Sequence, residues 1–90
     1  MYYLYIIKSQ KSEWYYVGIT SDINKRVELH NQGKVRSTKS KRTYKLVLIE
    51  TYENRTEARI RELEIKGNWQ VKKALIDNFK HHTEALSSNG

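Results

Sequence analysis

Cysteine and proline are both absent from this 90-residue chain; phenylalanine and methionine occur once each, and glycine four times. Without cysteine there is no disulfide, no thiolate metal site and no cysteine nucleophile. Without proline, turns must be marked by Gly, Asn, Ser and Asp. No long apolar run is present. The stretch "YYLYII" (Tyr2 to Ile7) is far short of the roughly 20 residues that cross a bilayer, and no basic leader with a long apolar stretch precedes it. With a mean hydropathy of −0.83, the expectation is a soluble, cytoplasmic protein with no membrane partner. The length suits one domain with a modest core, expected over residues 1–80, with 81–90 as a polar tail. Several familiar chemistries are missing as well. There is no Gly-rich phosphate loop, no HExxH, no Cys/His zinc spacing and no Gly-x-Ser-x-Gly elbow.

What the chain does have is positive charge. Seventeen Lys and Arg against ten Asp and Glu give a net charge of +7. A domain this basic is suited to an anionic partner, nucleic acid foremost. The stretch "GKVRSTKSKRTYK" (Gly33 to Lys45) holds six Lys or Arg and no acid. Lys34, Arg36, Lys39, Lys41 and Arg42 are therefore the candidate nucleic-acid contacts, although a solvated basic loop would look the same. Tyrosine is the second excess. Five of the seven tyrosines fall within "YYLYIIKSQKSEWYYVGIT" (Tyr2 to Thr20). Phe would supply the same bulk with no hydroxyl to satisfy, so the phenols need an account.

The patterning predicts an α+β fold, a small and mostly antiparallel three-stranded sheet flanked by helices in the order β-β-α-β-α-α. "YYLYIIK" (Tyr2 to Lys8) and "WYYVGIT" (Trp14 to Thr20) are β-branched and aromatic, and five polar residues join them as a hairpin. "SDINKRVELHNQG" (Ser21 to Gly33) predicts a helix, capped by Ser21 or Asp22 and stopped at Gly33, with Ile23 and Val27 facing the core. "YKLVLIETY" (Tyr44 to Tyr52) is the third strand. "NRTEARIRELEIKGNW" predicts a helix capped at Asn54 or Thr56, with Ala58, Glu62, Ile65 and Trp69 on one face. Gly67 breaks or bends it, and "NWQVKKALIDNFK" continues as another short helix.

Three residues stand out in this frame. Glu62 lies in the middle of an otherwise apolar stripe, where a carboxylate is costly unless paired with a cation. A salt bridge to a nearby Arg or Lys would satisfy it. So would a divalent ion, and a single carboxylate suits Mg²⁺ when water and substrate phosphates complete the shell. Arg26 and His30 lie four apart on one side of their helix. An exposed helix face is the plain account. The other is a phosphate clamp, since the guanidinium fork matches phosphate oxygens, beside a group that titrates near neutrality. His81 and His82 are expected to face solvent.

Together these segments resemble the GIY-YIG nuclease family, most closely its small single-domain bacterial members, from Tyr3 to about Ile76. "YLY" (Tyr3 to Tyr5) stands where the family has Gly-Ile-Tyr, and "YVG" (Tyr16 to Gly18) where it has Tyr-Ile-Gly. "ITSDINKRVELHNQGKVRSTKSKR" and "ENRTEARIRELEIKGNW" continue the likeness. The resemblance implies metal-assisted hydrolysis of phosphodiester bonds in DNA, with RNA a possible substrate. It implies Tyr5 and Tyr16 as paired active-site tyrosines and Gly18 as the point where backbone passes close to them. Arg26 would bind the scissile phosphate, His30 would bond a tyrosine or relay its proton, and Glu62 would hold one ion, Mg²⁺ or Mn²⁺. Tyr16 would be the base and Tyr5 would orient water and phosphate. Free tyrosine, with a pKa of about 10, needs a nearby cation for that role. Tyr3 replaces the family's first Gly, and Thr43 stands where small members often have Pro. The family's downstream polar residue has only Asn68 and Asn78 as candidates. A non-catalytic nucleic-acid-binding module on the same scaffold is the alternative, and a basic adaptor with a salt-bridged Glu62 is a third reading.

Overall fold

The computed structural model describes residues 1–89, with side chains described for residues 1–80. Three strands, β1 (Tyr2–Ser9), β2 (Tyr15–Thr20) and β3 (Tyr44–Tyr52), form one sheet in the order β2-β1-β3. Both pairings are antiparallel. Helix α1 (Ile23–Asn31) and a single 3-10 turn (Lys39–Lys41) lie between β2 and β3, and α2 (Arg55–Gly67) and α3 (Trp69–Asn89) follow. The order is β-β-α-β-α-α, as the patterning predicts. The side chains of His81 and His82, and of the expected polar tail, lie outside the described residues.

β1 is central because its run is apolar on both faces. Leu4 and Ile6 pack with Tyr15, Val17 and Ile65 on the side of α2 and α3, where Val71, Leu75 and Ile76 close the cluster. Tyr5 and Ile7 pack with Tyr44 on the opposite side, against Trp14, Tyr16, Leu46 and the α1 residues Ile23 and Val27. Strand alternation thus sends Tyr15 into one core and Tyr16 to the other face. Tyr15 is buried. Between Ile6 and Ile7 the register with β3 shifts, and Val47 is the extra residue of a bulge.

The helix ends follow local chemistry. Asp22 caps α1 by accepting from the Lys25 N–H at 3.1 Å, and Asn54 caps α2 by accepting from the Glu57 N–H at 2.9 Å. α1 ends with Gly33 at φ +76°. There the Gly33 N–H donates to the His30 carbonyl at 3.1 Å and the Lys34 N–H to the Leu29 carbonyl at 3.0 Å, the paired bonds of a Schellman ending. The peptide between Arg42 and Thr43 is cis. α2 stops at Gly67 because Asn68 is extended, and Asn68 caps α3 by accepting from the Gln70 N–H at 3.0 Å. That break resets the helical phase, so Trp69 is 69% exposed while Ala58, Glu62 and Ile65 are buried. The expected fourth member of the stripe is therefore not on it. From α3, Lys72 reaches back to the Tyr15 carbonyl of β2 at 3.4 Å.

Ile65 fastens α2 to the sheet and is fully buried. Ile65→Ala should lower stability by about 2–5 kcal/mol, read as a fall in the urea midpoint with little change in slope. A loss below ~1 kcal/mol would show that the site closes over the cavity.

Candidate active site

The register of the first hairpin decides where its hydroxyls go. Tyr5 lies opposite Gly18, and Ile7 opposite Tyr16, so Tyr5, Gly18 and Tyr16 share the α1 face. The Tyr5 and Tyr16 ring centroids are 6.3 Å apart. A Cβ added to Gly18 would lie 2.6 Å from the Tyr5 hydroxyl oxygen and 3.0 Å from a Tyr16 ring carbon. Glycine is required here for space: the Tyr5 phenol occupies the volume that any side chain would take.

Helix α1 lays His30 on this face. His30 is fully buried, with ring centroids 5.8 Å from Tyr5, 5.0 Å from Tyr16 and 6.0 Å from Tyr44. Its Nε2 is 2.8 Å from the Tyr5 hydroxyl and its Nδ1 is 2.7 Å from Thr38 Oγ1. Thr38 Oγ1 donates its own proton to the Val35 carbonyl at 3.3 Å. Its oxygen therefore accepts from His30 Nδ1–H, which leaves Nε2 to accept from Tyr5. The donor order is Tyr5 to His30 to Thr38 to Val35. Tyr44 closes the cage by donating to the Thr38 carbonyl at 2.6 Å, and its own N–H donates to Asn31 Oδ1 at 2.6 Å.

The electrostatics follow from burial. Desolvation, with the Arg26 charge beside it, lowers the His30 pKa to about 4, so the imidazole is neutral at pH 7. Burial pushes Tyr5 up to about 12, although the hydrogen bond from Arg26 opposes the shift. Tyr5 therefore keeps its proton and donates it. Arg26, one turn before His30, lies beside the Tyr5 and Tyr16 hydroxyls, and its interaction with Tyr5 above all raises its own pKa. Its Nε is buried with no hydrogen-bond partner. On its outer side Arg26 lines a shallow depression of about 210 Å³ with Thr20, Ser21, Asp22, Lys25 and Leu29.

Glu62 comes from the other side of the sheet and faces the rim of this cluster. It is 5% exposed. Oε1 is paired with Arg59, and Oε2 with Lys66 at 3.1 Å. Lys66 Nζ also lies 5.4 Å from the Tyr16 ring centroid, so one ammonium group bridges carboxylate and phenol. The salt-bridge account of Glu62 is the one observed: Arg59 and Lys66 satisfy its charge, on the flank where Lys66 also meets the Tyr16 ring. Among the described residues no group of three His, Cys, Asp or Glu could enclose a metal. The donor set fits an ion held by one carboxylate and completed by water and substrate oxygens. Arg59 and Lys66 are about half exposed at their side chains, so both have room to swing away while Glu62 stays.

Tyr5, Tyr16, Gly18, Arg26 and His30 are brought together, with Glu62 at their edge. Of the basic loop, Lys34, Arg36, Lys39 and Arg42 are exposed, and Lys41 lies over Trp14 with its Nζ 5.8 Å from the ring centroid. Trp14 in turn lies 6.3 Å from Tyr16. Sequence reasoning missed Thr38, Tyr44, Asn31, Arg59 and Lys66. The i+3 spacing of Glu62 from Arg59 and the i+4 spacing of Lys66 from Glu62 were available signals. The Thr38 contact to His30 has none, because it depends on how the loop folds back. Asn68, a candidate for a polar site residue, serves as a helix cap.

A family model described as the GIY-YIG catalytic domain matches residues 1–74. The UPF0213 protein YazA of Bacillus subtilis (strain 168) is 33% identical over 87 residues, covering 94% of this chain and 87% of that protein. A UPF0213 protein of Staphylococcus aureus (strain Mu3 / ATCC 700698) is 41% identical over 73 residues, covering 80% of this chain and 88% of that one. The solution NMR structure of the UPF0213 protein BH0048 from Bacillus halodurans aligns with a TM-score of 0.53 at 28% identity, over 88% of this chain and 84% of that one.

The depressed His30 pKa makes stability depend on pH. An unfolded histidine titrates near 6.5, so on acidification the unfolded chain takes up this proton first. The contribution is complete above about pH 6.5 and is lost as pH falls toward the folded value of about 4. The urea midpoint should fall between pH 7 and pH 5, and His30→Gln should flatten that fall; an equally steep fall in the variant would show that other groups cause it. Gly18→Ala should destabilise by about 1–3 kcal/mol through overpacking, measured by thermal melting. An unchanged Tm would mean that the Tyr5 ring can move aside without cost.

Proposed function

The chain belongs to the GIY-YIG catalytic domain family, whose members are generally nucleic-acid endonucleases using a divalent metal, and on that footing we propose that it hydrolyses phosphodiester bonds in DNA with one Mg²⁺ or Mn²⁺ on Glu62. What carries the reading is Arg26, a half-buried guanidinium between the Tyr5 and Tyr16 hydroxyls whose Nε has no partner. A buried donor without an acceptor costs about 1–3 kcal/mol, and a phosphate oxygen is the acceptor best matched to a guanidinium fork.

Arg26 binds the scissile phosphate and presents fixed positive charge where negative charge develops. Tyr5 orients that phosphate and the attacking water. Its proton is committed to His30, and its raised pKa unfits it as a base. Tyr16 is the general base. It is half-buried, reachable by solvent, and has Arg26 and Lys66 beside it to stabilise a transient phenolate. His30 holds Tyr5 in place as a neutral acceptor. Lys66, released from Glu62 when substrate arrives, supplies a second cation near the phosphate. The bound ion would neutralise charge on the phosphate and the leaving alkoxide. Lys34, Arg36, Lys39, Lys41 and Arg42 contact the flanking backbone. Cytoplasmic location accords with this role, and among the described residues no helix is long and apolar enough to cross a membrane.

One observation favours the alternative, a non-catalytic nucleic-acid-binding module: both Glu62 oxygens are already paired with cations. Cleavage assays over a panel of branched, flapped, single-stranded and damaged DNA and of RNA, with Mg²⁺ or Mn²⁺, separate the two. Glu62→Gln should abolish metal-dependent cleavage and leave binding largely intact. Tyr16→Phe should slow cleavage by about 10²–10⁴-fold. Near wild-type cleavage by Tyr16→Phe would remove Tyr16 from the role of base, and binding without any metal-dependent cleavage would establish the module.

A further inference from the structure

The turn between β1 and β2 and the basic loop after α1 face each other across a concave depression of about 430 Å³, lined by Lys11, Arg36, Lys39, Ser40 and Arg42. We propose that it is a second phosphate subsite, which takes a phosphodiester group of the substrate strand other than the one being cut; this rests on the nuclease reading above.

The lining is four cations and a hydroxyl, with no carboxylate among them. Among the described residues, none of the four cations is paired with Asp or Glu, although Lys8, Arg59, Arg61, Lys66, Lys73 and Lys80 all are. Cations that converge without a counter-charge repel one another, and an anion between them relieves that repulsion. Phosphate fits the set, because arginine forks and lysine ammonium groups both recognise it.

The depression is built, not merely crowded. Its two walls are tied by Ser9, which is fully buried. The Ser9 hydroxyl donates to the Lys41 carbonyl at 2.7 Å and accepts from the Lys11 N–H at 3.1 Å. Next to it, the Gln10 N–H donates to the Thr43 carbonyl at 2.9 Å, and the Thr43 hydroxyl donates to Gln10 Oε1 at 2.6 Å. Arg42 is held as well. Its guanidinium donates to the Gln32 carbonyl at 3.1 Å and occupies the space that a side chain on Gly33 would fill. Pre-ordered donors lose less entropy when a ligand binds.

A surface path joins this subsite to the reacting centre. Trp14 lies beside Tyr16, and Lys41 lies over Trp14. The Lys41 carbonyl is the acceptor that Ser9 uses to tie the walls. A strand held at Arg26 and passing Tyr16 and Trp14 arrives at Lys11 and Arg42. Lys11 is the residue that turns a basic loop into a two-walled site, and it lies in a segment that reads as an ordinary polar turn.

The test is amide NMR on the ¹⁵N-labelled full-length chain with chelator present, titrated in parallel with inorganic phosphate and with a short DNA oligonucleotide. The oligonucleotide should shift the amides of Lys11, Ser40 and Arg42 together with those of Tyr16 and Arg26, at concentrations where inorganic phosphate shifts them less. Lys11→Ala and Lys39→Ala, both at exposed positions, should together lower the salt-dependence slope of binding by about 0.7–0.9, the loss of one phosphate contact. Shifts at Tyr16 and Arg26 without shifts at Lys11 and Ser40 would overturn the subsite and leave the nuclease reading standing. Stronger shifts with inorganic phosphate than with the oligonucleotide would overturn the strand assignment in favour of a free-anion site. Absence of shifts at both places with the oligonucleotide would overturn the nuclease reading itself.

Discussion

Everything at the candidate centre depends on burying the Tyr5 hydroxyl. A phenol and an imidazole inside a small core each need a partner, and an unpaired one would cost a sizeable share of a domain's stability. The chain meets this need with one directed series of bonds, from Tyr5 through His30 and Thr38 to the Val35 carbonyl. The series joins the central strand, the first helix and the loop beyond it. It fixes which imidazole nitrogen carries the proton. It also leaves the second lone-pair side of Tyr5 free for Arg26. Gly18 is the complementary requirement, a position left empty so that the ring can lie flat against the neighbouring strand.

Much of this is legible in the sequence alone. Strand alternation separates Tyr15 from Tyr16, and the i,i+4 spacing of Arg26 and His30 puts them on one helix face. The stripe of Ala58, Glu62 and Ile65 identifies the buried carboxylate. Local chemistry decides these features, so local sequence reports them. The failures share a different cause. Thr38 meets His30 only because the loop turns back over the helix, and Lys11 meets Arg42 only because Ser9 and Gln10 join two segments distant in sequence. Trp69 leaves the stripe because one extended residue, Asn68, shifts the helical phase after it.

Glu62 illustrates how a carboxylate is accommodated on an apolar helix stripe. Its carboxylate sits among Ala58 and Ile65 at little net cost because Arg59 and Lys66 reach it from the more exposed flank of the helix. Those partners are long, flexible and half in water. The charge compensation therefore comes from solvent-facing groups and asks nothing of the core itself.

The contact from Lys72 to the Tyr15 carbonyl has a consequence of its own. β2 is one of the two outer strands, and Trp14 turns its carbonyl toward β1, so the next carbonyl along, that of Tyr15, points away from the sheet. An open row of such groups invites a strand from a neighbouring molecule. A lysine amine anchored there brings charge to the point where a foreign strand would begin to zip. The outer edge of the tyrosine-rich hairpin thus carries a positive charge at a carbonyl the sheet leaves unpaired.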